Sequence, residues 1–176
     1  RDINKSIHYL TLSANQNHPY AQYFLGTIYY DGKYIEKDIQ KSIHYFKESS
    51  CFYNSIAKNY LGIIYKNGDG VEKNIYFAII YFKEAIKEKE EKYSMYNLAR
   101  IYYFGIDHER KISKSISLLE RASMNNLVIA DLFLFYIFSN CDDKNFLNQN
   151  KSHHYQNIWC PVTGVASQDL TNTISF

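Results

Sequence analysis

The sequence has few of the residues that interrupt helices and few that cross-link chains. Only two prolines and seven glycines occur in 176 residues, whereas eighteen residues are tyrosine. This composition favours helices over a loop-rich fold, and tyrosine suits amphipathic packing between helices. The three cysteines, Cys51, Cys141 and Cys160, are odd in number and form no CxxC pair. They support neither a disulfide framework nor a zinc module, and they favour a reducing compartment.

The chain also has no large excess of one charge and no long apolar run. It carries 20 basic and 18 acidic residues, for a net charge of +2. This balance gives no electrostatic basis for binding nucleic acid or an anionic membrane. The longest apolar run, residues 127–138, is too short to span a bilayer and contains Asp131. No signal peptide opens the chain and Arg1 rather than Met stands first, so we expect a fragment of a longer protein whose targeting signals lie outside it. The expectation of a cytoplasmic location comes from the cysteines.

A repeated segment is the main feature that the chain does contain. The sequence LGTIYYDGKYIEKD at residues 25–38 returns 36 residues later as LGIIYKNGDGVEKN at residues 61–74. A third copy follows with one residue inserted before it, and residues 3–14 match the second half of an earlier copy. Self-similarity at a period in the thirties is the signature of stacked helical hairpins.

Each half of the repeat has the spacing of one amphipathic helix. In the first half, apolar residues fall at i, i+4, i+7 and i+8 from Ala21, and the same stripe recurs from Ala57 and Ser94. In the second half they fall at i, i+4 and i+7 from Ile39. The repeat therefore predicts two helices of about a dozen residues, neither of which buries its stripe alone.

One position in the middle of the first helix, which we call a column of the aligned repeats, holds a small residue in every copy. It holds Gly26, Gly62 and Ala99. Because glycine costs about 1 kcal/mol against alanine within a helix, its use here predicts that a neighbouring helix passes very close. We expect leucine to be excluded at Gly62, and alanine to be tolerated because Ala99 already occupies the column.

The ends of the helices are also marked in the sequence. A glycine just past the first stripe can take the left-handed conformation that ends a helix, and an Asp or Asn before the second stripe can cap its free N–H groups. The third copy has Lys111 at the capping position, which predicts a less well-defined helix start. The predicted terminating glycines are Gly32, Gly68 and Gly105, and the predicted caps are Asp2, Asp38 and Asn74.

The full pattern, A-x3-LG-x-IY-x2-G-x-GV-x-K-(D/N)-x3-A-x2-(Y/F)-(Y/F)-x-x-A, resembles the Sel-1-like repeat, a relative of the tetratricopeptide repeat. Residues 57–85 match it most fully, whereas Tyr34 and Asp107 replace the second loop glycine in the other copies. The resemblance implies an all-α fold, a right-handed α-solenoid of antiparallel helix hairpins. We expect this array over residues 1–140, as a partial first repeat, three clear units and a degenerate cap. Residues 141–176 are expected to be an irregular tail or linker.

The resemblance implies a non-enzymatic scaffold or adaptor for protein–protein interaction, of the kind found in signalling proteins. The alternative is the regulatory or substrate-docking region of a larger enzyme, such as a protein kinase. No G-x-S-x-G elbow, Walker loop or dinucleotide fingerprint occurs in the sequence. His8 and His44 share a column, but two ligands do not make a structural zinc site. The sequence therefore predicts no catalytic residue, no metal and no cofactor.

The binding surface is predicted from the repeat geometry. The first helices of such arrays line the concave wall, so residues opposite their apolar stripe should be exposed in the groove. Tyrosines with a lysine and an arginine suit a mildly acidic protein or peptide segment. The predicted groove residues are Tyr23, Thr27, Tyr30, Asn59, Ile63, Lys66, Tyr96, Arg100 and Tyr103.

Overall fold

The structure is a computed structural model that describes residues 2–106 and 109–140. These residues form eight α-helices and no strand, which confirms the all-α prediction. The predicted tail, residues 141–176, lies outside the described residues. The helices are α1 (Ile3–Asn15), α2 (Pro19–Asp31), α3 (Ile39–Ser50), α4 (Ser55–Asn67), α5 (Ile75–Lys89), α6 (Lys92–Phe104), α7 (Ile112–Met124) and α8 (Val128–Asn140).

The chain divides into two compact units. The first, Arg1–Asn97, holds α1 to α5 and the start of α6, and the second begins at Leu98. In the first unit each helix from α1 to α5 packs against the next along the chain. Helices α2 and α3 are antiparallel, because Ser49 Oγ donates to the Pro19 carbonyl at one end (2.7 Å) and the Asp38 N–H donates to the Tyr29 carbonyl at the other (3.0 Å).

The second helix of each hairpin begins at the predicted position. In three of these helices, a side-chain oxygen of the residue just before the helix accepts a hydrogen bond from the backbone N–H of the residue three positions later, as an N-cap does. The Lys111 side chain makes no such bond, although its N–H donates to the Tyr102 carbonyl at 2.8 Å. The capping bonds run from Lys5 N–H to Asp2 (3.1 Å), from Lys41 N–H to Asp38 (2.9 Å) and from Phe77 N–H to Asn74 (3.0 Å). The capping prediction is confirmed.

The first helix of each repeat ends at the predicted glycine. Gly32, Gly68 and Gly105 have φ angles of +66°, +81° and +65°, which side chains with a Cβ rarely adopt. Each glycine N–H donates to the carbonyl four residues earlier, on Ile28, Ile64 and Ile101 respectively. These bonds satisfy carbonyls that the end of a helix otherwise leaves unpaired.

The close approach predicted at Gly26 and Gly62 is confirmed, and the approaching group is a ring from the second helix of the same hairpin. A Cβ on Gly26 would lie 2.7 Å from Cδ1 of Phe46, and one on Gly62 would lie 2.5 Å from Cε1 of Phe82. Both rings are fully buried, so they can move away only if the close-packed core around them shifts as well. The structure therefore contradicts the expectation that alanine is tolerated at Gly62.

The turn that joins one repeat to the next places a non-glycine residue in the left-handed region. The residue two positions before the start of the next first helix has a positive φ in all four turns. This conformation costs an L-residue roughly 1–2 kcal/mol, and Asn tolerates it best. The residues are Asn17 (+61°), Tyr53 (+59°), Glu90 (+48°) and Asn126 (+57°).

Replacing Tyr53 with glycine should raise the free energy of unfolding by about 0.5 kcal/mol, because relief of the left-handed strain exceeds the added entropy of the unfolded chain. The Tyr53 side chain is 72% exposed, so little packing is lost with it. Urea unfolding followed by circular dichroism measures the change. Tyr53→Ala is the matched control, since it removes the ring but keeps the Cβ. An equal gain in both variants would assign the effect to the ring.

Candidate functional site

The predicted groove residues lie on three first helices, α2, α4 and α6. Seven of them belong to the first unit, whereas Arg100 and Tyr103 belong to the second. Tyr23, Thr27 and Tyr30 lie on α2, and Asn59, Ile63 and Lys66 lie on α4.

Three of the nine residues are buried, so the expectation that they are exposed is wrong. Asn59 exposes 6%, Tyr96 7% and Tyr103 5% of its surface. Asn59 Oδ1 accepts from Ser94 Oγ at 3.1 Å and from Asn97 Nδ2 at 3.2 Å, so α6 covers it.

Tyr103 is covered within the second unit. Its ring packs edge-on against Phe133 of α8, with the centroids 5.2 Å apart. The Arg110 guanidinium lies 5.0 Å from the centroid of the same ring. Such contacts hold the side chain in the core of this unit. Tyr103 therefore supports the fold and does not offer its ring to a partner.

The remaining six residues are half-buried, and two of them join an aromatic cluster. Tyr23 and Tyr30, one above the other on α2, both contact Tyr60 of α4. The centroid distances are 6.1 Å for Tyr23 and 5.6 Å for Tyr30, and the Tyr60 ring itself stacks on the buried Phe46 at 4.8 Å. Offset and edge-on pairs of this kind are favourable beyond the area they bury. We call these three tyrosines, Tyr23, Tyr30 and Tyr60, the tyrosine cluster.

Asp69 fixes the orientation of Tyr30. The Tyr30 hydroxyl donates to a carboxylate oxygen of Asp69 at 3.1 Å, from the loop that follows α4. Burial of the ring, together with the Asp69 charge, raises the pKa of Tyr30 to about 12. Burial also raises the pKa of Tyr23 and of Tyr60, and the Asp31 carboxylate contributes to both shifts. The cluster is therefore neutral at physiological pH, with two carboxylates near it.

The sequence prediction missed Tyr60 and Asp69. Tyr60 lies one residue after Asn59, in the column that holds Phe24 in the preceding repeat, and this recurrence of aromatic residues was a usable signal. Asp69 gave no such signal, because its contact with Tyr30 joins residues 39 positions apart.

A family model confirms the repeat that the geometry shows. The Sel1 repeat model matches residues 1–18, 19–51, 55–89 and 92–127, which together cover more than half of the chain. The chain belongs to the Sel1 repeat family. The four matches follow the helix pairs described above, and the first of them covers α1 alone, without a preceding first helix.

Solved structures of Sel1 repeat proteins have the same fold. A Sel1 repeat protein from Oxalobacter formigenes superposes with a TM-score of 0.80 at 24% identity, covering 89% of this chain and 64% of that one. The protein c5321, a protective antigen of uropathogenic Escherichia coli with an SLR fold, gives a TM-score of 0.72 at 20% identity, covering 98% of this chain and 40% of that one. The chain thus spans less than two thirds of either protein. No curated protein matches its sequence.

Sel1 repeats are in general protein-interaction scaffolds. Within residues 2–106 and 109–140, no helix combines the length and apolar content that a membrane span requires. Over the same described residues, no three His, Cys, Asp or Glu side chains are grouped so that they could hold a metal ion.

Proposed function

We propose that this Sel1 repeat chain is a non-catalytic scaffold that binds an extended or helical segment of another protein across α2 and α4. The tyrosine cluster is the observation that carries the proposal. Its rings are half-buried, held by contacts with Phe46 and Asp69, and partly open to solvent. Because the rings are already ordered, a partner loses little side-chain entropy when it covers them.

The residues beside the cluster extend the same surface. Thr27 Oγ donates to the Phe24 carbonyl at 2.8 Å, which leaves its methyl group and an oxygen lone pair for a partner. Ile63 on α4 adds an apolar contact. These side chains suit a segment with alternating apolar and polar residues.

The charged residues around the tyrosine cluster predict where the acidic groups of a bound segment would lie. Asp31 and Asp69 lie within electrostatic range of the tyrosine cluster, and the basic Lys66 lies at the end of α4. Acidic groups of the partner are therefore expected beside Lys66 and not beside Tyr30. The buried Asn59 and Tyr96 support this surface from within the first unit, whereas Arg100 and Tyr103 belong to the second unit and are not part of it.

Peptide display against the full chain, followed by affinity measurements on selected peptides, tests the proposal. The variant Tyr23→Ala with Ile63→Glu should weaken binding at least about tenfold, since it removes a ring and places a charge on an apolar contact. Matched controls are Lys47→Ala and Lys83→Ala, which change exposed residues on α3 and α5. Unchanged affinity in the double variant, or equal losses in the controls, would place binding elsewhere.

Two further parts of the proposal rest on the sequence alone. We propose that the repeat array ends after Asn140, because the periodicity ends there. We also propose a cytoplasmic location, because the cysteines show no pairing pattern.

A further inference from the structure

Two carboxylates beside the tyrosine cluster have no basic partner. Asp69 accepts hydrogen bonds at one oxygen, Oδ2, from the Tyr30 hydroxyl at 3.1 Å and from Asn67 Nδ2 at 3.3 Å. Its other oxygen accepts none from a described residue. Asp31 is the exposed last residue of α2. Among the described residues, no lysine or arginine forms an ion pair with either carboxylate.

Helix α2 presents Asp31 on the face that carries the cluster. Tyr23, Thr27 and Asp31 follow one another at intervals of four residues, so they form one row along the helix. The charge of Asp31 accordingly contributes to the raised pKa values of Tyr23 and Tyr60. Because the Thr27 hydroxyl donates to the Phe24 carbonyl, its oxygen can still accept a hydrogen bond. The row thus combines a ring with two acceptors.

One ring of the cluster already lies beside a cation of the chain. Lys37 Nζ is 5.3 Å from the centroid of the Tyr30 ring, within the range of a cation–π contact. Lys37 nevertheless forms no ion pair with Asp31 or Asp69. Two carboxylates and this lysine leave a net negative charge beside the rings, which one further cation would neutralise.

These residues do not recur at the next pair of first helices, α4 and α6. Features that hold the fold, such as the terminating glycines, are present in every clear copy of the repeat. At the equivalent positions one repeat later, Lys66 replaces Tyr30 and Asn67 replaces Asp31. The remaining equivalents are Asn59 for Tyr23, Ile63 for Thr27, Asn97 for Tyr60 and Ile106 for Asp69. The repeat therefore forms without this combination of rings and carboxylates, which is particular to α2 and α4.

We propose that the tyrosine cluster, together with Asp31 and Asp69, binds an arginine side chain of the partner segment. The inference rests on the function proposed above, and it identifies the residue of the segment that the cluster recognises. The acidic groups expected beside Lys66 lie elsewhere on the same segment. We call the five residues Tyr23, Tyr30, Asp31, Tyr60 and Asp69 the arginine site.

The chemistry of the arginine site favours arginine over other cations. A guanidinium group is planar, stacks on aromatic rings and is less strongly hydrated than an ammonium group, so it loses less when it covers a half-buried ring. Its several N–H donors can also reach carboxylates on two elements, here Asp31 on α2 and Asp69 on the loop after α4. Lysine offers only a compact point charge, and a trimethylated lysine has no N–H group to donate.

Peptide display against the full chain tests the inference. The probes are random peptides of about twelve residues, which are long enough to cross two neighbouring helices. Peptides that bind should share an arginine at one position. Replacing this arginine with citrulline, which keeps the shape of the side chain without its charge, should weaken binding at least about tenfold in anisotropy titrations. Replacing it with lysine should weaken binding about threefold or more.

Variants of the chain locate the arginine. Asp31→Asn with Asp69→Asn removes both charges but keeps an acceptor for the Tyr30 hydroxyl. It should weaken the arginine peptide at least about tenfold and leave the citrulline peptide unchanged, so that the two losses are coupled. The matched control is Glu36→Gln with Glu72→Gln, which makes the same change of net charge at exposed residues on the loops after α2 and α4. This control should stay within about twofold of the parent at physiological salt.

The outcomes separate this inference from the proposed function. The absence of a shared arginine, equal affinity of the arginine and citrulline peptides, tighter binding of the lysine peptide, or equal losses in the two pairs of variants would each overturn the inference. If Tyr23→Ala with Ile63→Glu still weakens those peptides, the proposed function stands without it. If no peptide binds, or if bound peptides are insensitive to that variant, both are wrong. The citrulline comparison uses the unchanged chain, so it does not depend on how the variants fold.

Discussion

Replacing Gly62 with leucine should lower the free energy of unfolding by about 3 kcal/mol or more. A Cβ at this position already falls 2.5 Å from the Phe82 ring, and the ring is completely buried. Overpacking of a filled core usually costs about 1–3 kcal/mol, and the rigid ring places this site at the upper end. Urea unfolding of the variant and the parent measures the loss, and equal midpoints would show that the ring yields freely.

Alanine at the same position separates two opposing effects. Within a helix, alanine is more favourable than glycine by about 1 kcal/mol, because it restricts the unfolded chain. The contact with Phe82 acts in the opposite direction and should exceed this gain. We therefore expect Gly62→Ala to destabilise the chain by about 1 kcal/mol.

The double variant Gly62→Ala with Phe82→Leu should recover stability, because it reproduces the combination of Ala99 with Leu119 that the chain already contains. The coupling free energy in the double-mutant cycle should exceed about 1 kcal/mol. Phe77→Leu in place of Phe82→Leu is the control, since Phe77 is 46% exposed and its ring lies against Tyr65, whereas the atoms nearest to a Cβ on Gly62 belong to Phe82. Additive effects within about 0.5 kcal/mol in both cycles would mean that the glycine and the ring are independent.

Local features of the fold could be predicted from the sequence because they depend on neighbouring residues. A cap such as Asp38 acts on an N–H three residues away, and a terminating glycine such as Gly68 acts through its own φ angle. The pairing of Gly62 with Phe82 was not predicted, since it joins positions on two helices. The position of Gly62 and the position of Phe82 both recur in the other copies of the repeat. Comparing which residues occupy these two positions in each copy would therefore have indicated the pairing.

The binding surface was harder to predict because a first helix has more than one neighbour. The rule that exposed residues lie opposite the apolar stripe assumes one covered face. Helix α4 packs against α3 and α5, and Ser94 and Asn97 of α6 also reach its Asn59. The opposite face is therefore covered in part, which explains why Asn59 is buried while Ile63, one turn later, remains half-exposed.

Replacing Lys58 with methionine should lower the free energy of unfolding by about 3 kcal/mol at pH 7. The Lys58 side chain on α4 is only 12% exposed and forms ion pairs with Glu88 and, at 3.3 Å, with Glu84 on α5. Removing one member of a buried pair leaves the other charge without compensation, and Glu88 is only 15% exposed. By contrast, Lys41→Met should leave the free energy of unfolding nearly unchanged, because both Lys41 and Asp38 are substantially exposed.

The direction of the Lys58 pKa shift determines the pH range in which the ion pairs of Lys58 stabilise the fold. Burial alone would lower the pKa, but hydrogen bonds and charges from Glu88 and Glu84 outweigh it and raise the pKa above its usual value. A raised lysine pKa contributes stability that is complete below the unfolded pKa of about 10.4 and is lost as the pH rises through the folded value. The difference between Lys58→Met and the parent should therefore be complete at pH 7 and should shrink above about pH 10.5.

The double variant Lys58→Met with Glu88→Leu distinguishes the loss of charge compensation from the loss of packing. It removes both buried charges and keeps similar volumes, and such replacements are often neutral or stabilising. Glu84 is half-exposed and keeps its hydration in either variant. Stability in urea should therefore return to within about 1 kcal/mol of the parent. A double variant as unstable as Lys58→Met alone would instead show that the lysine stabilises α4 and α5 through contacts of its aliphatic stem.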